Sequence, residues 1–89
     1  MSHQQSQVHA AMEEAQCARQ KKRKAAEALR ARQHDYETAN LRGRQKQIIR
    51  ARVALEAAQA AYEAAKRDVQ RLDDKAEEVV QSQVMAAYM

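Results

Sequence analysis

Along this chain, apolar and small residues return at alternating intervals of three and four. Val8, Ala11, Ala15, Ala18, Lys22, Ala25, Leu29, Arg32, Tyr36 and Ala39 make one such frame. Ile48, Ala51, Leu55, Ala58, Tyr62, Ala65, Val69, Leu72, Ala76 and Val79 make a second, with no charged member. A mean spacing of about 3.5 residues keeps a stripe on one side of an α-helix, the signature of a coiled-coil seam. The two frames do not join. Extended through the middle, the first would put Gly43, Lys46, Arg50, Arg67, Arg71, Asp74 and Glu78 on the seam, which no helix would bury. The phase changes around Asn40–Arg44, at the only glycine of the chain. A glycine just past a helix end can enter the left-handed conformation without a Cβ clash, so Gly43 reads as a turn. A continuous rod is the competing reading, since one glycine inside a helix costs only about 1 kcal/mol.

Folding the chain between Gly43 and Arg44 tests the turn. Leu29 then lies opposite Ala58, Tyr36 opposite Ala51, Ile48 opposite Ala39, Tyr62 opposite Ala25, Val69 opposite Ala18 and Leu72 opposite Ala15. One large residue against one alanine, layer after layer, keeps the volume of a close seam constant. Arg32 and Lys22 interrupt this pattern and are expected to pack their stems while their charges reach outward. The predicted fold is therefore all-α: a two-helix antiparallel coiled-coil hairpin with an Ala-rich seam and its turn near Gly43. It forms a single unit over residues 1–89, helix one at about 7–41 and helix two at about 45–87, each arm about 55 Å long at 1.5 Å per residue. The polar start, Met1 to Gln7, is expected to fray, with Ser2 or Ser6 as a cap. The apolar end, Val79, Val80 and Val84 to Met89, reads either as a docking end or as a chain truncated at its C-terminus.

Composition narrows the picture. There is no Pro, Trp or Phe, and 20 of the residues counted in the 45% hydrophobic fraction are alanine. A wide core and an enclosed catalytic cleft are excluded on these counts. Strands are disfavoured as well, because sheets draw on β-branched and aromatic residues. Cys17 is alone, so no internal disulfide can form. With neither a basic-then-apolar leader nor a membrane-length apolar run, the expectation is a cytoplasmic protein.

The formal charge of +4 is modest, but its distribution is not uniform. Arg42, Arg44, Lys46, Arg50 and Arg52 surround the turn without an acid among them, and form a candidate partner-binding tip. Between Asp68 and Glu78 the balance becomes acidic. Arg19 is expected beside Asp68, and the Lys21–Lys22–Arg23–Lys24 run beside Glu63. That run is also the candidate site for a nucleic-acid alternative, although no aromatic residues interleave to stack bases. Ala54, Ala57, Ala61 and Ala64 form a second small-residue strip beside the seam, a candidate face for a homodimer or a partner helix.

Chemistry is sparse. His9 and Glu13 make an i, i+4 surface pair, and no His or Cys has the neighbours a zinc site needs. No metal, no cofactor and no enzymatic activity are expected. The Gln/Arg/Ala-rich hairpin followed by RARVALEAAQAAYEAAKRDVQRLDDKAEEVVQ resembles the cytoplasmic stalk proteins of bacterial type III export, the FliJ and YscO-like group. The resemblance covers most of the chain and rests on composition and pattern, and no single residue is carried over. It implies a non-enzymatic coiled-coil adaptor, stalk or small chaperone in protein export. Its partners would be an export ATPase, an export-gate component or a secretion chaperone. Two alternatives stand beside it: a basic helical nucleic-acid-binding protein, and a segment of a larger coiled-coil scaffold.

Overall fold

The computed structural model describes residues 2–88, with side chains described over 6–88. It contains two helices, α1 (Ser2–Arg42) and α2 (Gln45–Tyr88), folded back on each other. The long runs of Ala, Gln, Glu, Lys and Arg, uninterrupted by Pro, are what allow helices of 41 and 44 residues. The expected start near residue 7 is corrected to Ser2, and Ser6 lies inside the helix instead of capping it. The hairpin measures 67 × 16 × 13 Å. Its radius of gyration is 19.8 Å, against about 12 Å for a compact chain of this length.

The seam forms where the two frames place it. All ten residues of the second frame are half-buried, and nine of the ten in the first are half-buried or buried. Arg32 is the exception: it is exposed, and its Nη1 bonds Asp35 Oδ2 at 2.9 Å. Lys22 is half-buried, as a packed stem with an outward charge requires. Among the described residues only Ala11, Ala15 and Ala18 are fully buried. All three lie toward the open end, where the methyl-lined surface of α1 lets α2 approach closely.

The turn is shorter than expected and works differently. Gly43 has no positive φ, so the left-handed cap is corrected. Its N–H donates to Ala39 O at 2.6 Å, carrying the helical pattern one residue past α1. A Cβ on Gly43 would stand 2.5 Å from that oxygen and 3.1 Å from the Ala39 carbonyl carbon. The glycine is needed because the backbone passes too close to itself for a side chain. Arg44 then opens α2. Its carbonyl accepts from the Ile48 N–H at 3.0 Å, and its N–H donates to Gln47 Oε1 at 3.1 Å. The second contact is half of a capping box, with glutamine at the third helical position reaching back.

The ion pairs shift along the rod relative to expectation. Arg19 bonds Asp73 at 2.5 Å, not Asp68, and Lys75 pairs with Glu14 at 3.4 Å. Asp68 pairs within α2 with Arg71, and Glu63 with Lys66, so neither serves the basic run of α1. Both cross-helix pairs are displaced in the same direction, toward higher numbers on α2. Side chains on a helix lean toward its N-terminus. In an antiparallel pair, those of α1 therefore lean to the open end and those of α2 toward the tip. Arg19 and Glu14 consequently meet α2 residues beyond the ones facing their backbone.

Candidate functional site

The tip begins with Arg42, the last residue of α1, where a cation complements the negative end of the helix dipole. Arg44 follows in the reversal, and Lys46, Arg50 and Arg52 occupy the first turns of α2. All five side chains are exposed. Arg52 is partly neutralised, with Nε 3.3 Å from Glu56 Oε1. Arg42, Arg44, Lys46 and Arg50 have no acidic partner among the described residues, so the unpaired patch is these four.

The electrostatics of α2 strengthen this patch. Its first turn contains no acid, although an Asp or Glu there would stabilise the positive helix end by typically 0.3–1 kcal/mol. Lys46 stands there instead. The local arrangement forgoes helix stability to concentrate positive potential at one end of the rod, and departures from local rules of this kind gather at functional sites.

Sequence reasoning missed the apolar component of the tip. Leu41 is 85% exposed, with Ile49 at 54% and Val53 at 60% on the adjoining turns of α2. The signal was present: all three are large aliphatic residues that fall outside both seam frames.

The small-residue strip is not uniform. Ala54 is half-buried at the seam edge, whereas Ala57, Ala61 and Ala64 are exposed. Ala61 and Ala64 line an open groove between the helices with Ala18, Ala65 and Leu72, rimmed by Glu14, Asp68, Lys21 and Lys75. Cys17 is free and exposed on the same side.

The structure does not gather Lys21, Lys22, Arg23 and Lys24 into one patch. At 100° per residue, four consecutive positions wind most of the way round a helix. Lys21 faces the groove, Lys22 the seam, Arg23 the opposite side beside Gln16 and Arg19, and Lys24 points to solvent. His9 Nε2 lies 2.9 Å from Glu13 Oε1 on the exposed surface. Among the described residues no three His, Cys, Asp or Glu side chains come together in a metal-binding arrangement. Among the described residues no helix is long and apolar enough to cross a membrane.

No protein-family model, curated protein or solved structure matches this chain. The geometry of the tip and of the outer helix faces is therefore what bears on function.

Proposed function

We propose that this chain is a non-enzymatic helical-hairpin adaptor or stalk that engages an acidic protein partner through its basic tip, with its exposed helix faces as further contact surfaces. The observation that supports this reading is the set of four unpaired cations, Arg42, Arg44, Lys46 and Arg50, grouped around the exposed Leu41 at one end of a 67 Å rod. Charge of one sign steers an encounter, and an apolar residue at its centre supplies burial once contact is made. The setting we propose, from the resemblance, is bacterial type III protein export, with an export ATPase, an export-gate component or a secretion chaperone as partner.

A photo-crosslinker at position 41, used in source cells, tests the tip. The expected result is a discrete adduct with an acidic protein that disappears in the Arg42→Glu/Arg44→Glu variant. An adduct that persists unchanged in that variant would overturn the reading. The nucleic-acid alternative has its own test, a mobility shift of labelled duplex at low salt. The scatter of Lys21 to Lys24 around α1 argues for no shift.

A further inference from the structure

The outer face of α2 carries a third stripe with the same three-and-four spacing: Lys46, Arg50, Val53, Ala57, Ala60, Ala64, Arg67, Arg71, Asp74 and Glu78, of which Ala64 and Arg71 also border the groove toward α1. Every one of these side chains is exposed. The positions lie two residues out of step with the seam, which at 100° per residue puts them on the opposite side of the helix, about 160° round. The stripe has a basic end, a small-residue centre and an acidic end.

Its order is complementary to itself in reverse. Measured outward from the level of Tyr62, Ala60 matches Ala64, Ala57 matches Arg67 and Val53 matches Arg71. Arg50 then matches Asp74, and Lys46 matches Glu78. We infer that a second copy of this chain packs antiparallel on this stripe, α2 against α2, about a two-fold axis beside Tyr62. The central alanines permit close approach of the two helices. The stems of Arg67 and Arg71 lie over Ala57 and Val53 of the other copy and carry their charges outward. At both ends, Lys46 and Arg50 meet Glu78 and Asp74, and the symmetry forms each pair twice. A parallel arrangement would instead set basic end on basic end within a Debye length, about 8 Å at physiological salt.

The surface is large enough. The chain exposes 7394 Å², where a compact protein of its mass exposes about 5,300 Å². The stripe from Lys46 to Glu78 runs about 48 Å at 1.5 Å per residue along an edge 13 Å across, roughly 600 Å² per copy, the lower end of the range of about 1,200–2,000 Å² in total that specific interfaces bury. The groups required are free to take part. Lys46, Arg50, Arg67 and Glu78 have no ion pair among the described residues, Arg71 is held only loosely by Asp68 at 3.8 Å, and Asp74 accepts from Gln70 at 3.0 Å. This inference rests on the reading of the outer helix faces as contact surfaces, and needs no external partner.

Sedimentation equilibrium at low salt tests it. The wild-type chain is expected at twice its 10.1 kDa mass, with dissociation as salt rises. Lys46→Glu/Arg50→Glu and Asp74→Lys/Glu78→Lys are each expected to weaken self-association at least tenfold. Mixed one to one, they are expected to form a heterodimer, because the reversed end of each variant meets the reversed end of the other, and native end meets native end, with opposite signs at both. Spin labels at position 42 in a Cys17→Ser background are expected roughly 50 Å apart in the dimer, from about 17 residues of α2 on each side of the axis. A monomeric wild type, a mixture that stays monomeric, or label separations near 20 Å would each overturn the antiparallel dimer. Lys46 and Arg50 belong to both surfaces, but the crosslinking variant Arg42→Glu/Arg44→Glu leaves the stripe intact, so loss of the adduct reports on the tip and the sedimentation mass on the dimer.

Discussion

Gly43 decides the fold at a single atom. A helical glycine replaced by alanine ordinarily gains about 1 kcal/mol. Here the added methyl would stand 2.5 Å from the Ala39 carbonyl oxygen, and backbone cannot swing aside as a side chain can. Gly43→Ala is therefore expected to destabilise the hairpin, by about 1–3 kcal/mol given the strain involved, read as a lower midpoint in a thermal melt followed by circular dichroism. Gly43→Asn separates this account from a left-handed cap. Asparagine suits the left-handed region and would be tolerated there, but it carries the same Cβ and is expected to destabilise as alanine does. The importance of Gly43 could be read from the sequence because it is the only glycine and sits at a phase break. Its mechanism could not, because a close backbone approach of this kind depends on three-dimensional path and leaves no mark in residue type. The half capping box was similarly hidden: Gln47 is one of many glutamines, and its partner is Arg44, not the Ser, Thr or Asp that signals a helix start.

Between the two helices, packing rests on methyl groups more than on charge. Ala15 is 2% exposed. Ala15→Leu would wedge α1 from α2, with an expected loss of about 1–3 kcal/mol for overpacking, whereas Ala28→Leu, on an exposed part of α1, is expected to leave stability nearly unchanged in urea titrations. The Arg19–Asp73 pair is well formed, but its side chains remain 59% and 37% exposed. A double-mutant cycle to alanine is expected to return a coupling under about 1 kcal/mol, since solvent screens such pairs. A coupling of several kcal/mol would show that this pair sets the register. The seam residues were legible because helical periodicity is a local property of sequence. The ion-pair partners were not, because they follow from the lean of side chains toward each helix's N-terminus, which shifts each contact along the rod. The exposed Leu41, Ile49 and Val53 were also passed over: a pattern search built to find the seam discards large residues that fall outside it.

For the molecule as a whole, spin labels at positions 29 and 58 are expected close together within one chain. A separation near 40 Å, set by a rise of about 1.5 Å per residue, would indicate a straight helix. The order of burial has a further consequence for how the chain folds. The residues nearest the reversal are the first able to meet, because closing a short loop loses least chain entropy. Yet the three buried alanines lie far from it: Ala11 lies near Val79, Ala15 near Ala76 and Ala18 near Leu72, each far away in sequence. Contacts that are easy to form and contacts that hold are thus at opposite ends of the rod. Folding should proceed as a zipper from a loosely packed start to a tightly packed finish, its last layers being the most stabilising. Amide hydrogen exchange is the natural recorder of this order. The slowest exchange is expected around residues 11–18 and the α2 segment they touch, with faster exchange beside the reversal, so that the tip can open and rearrange while the far end holds the two helices together.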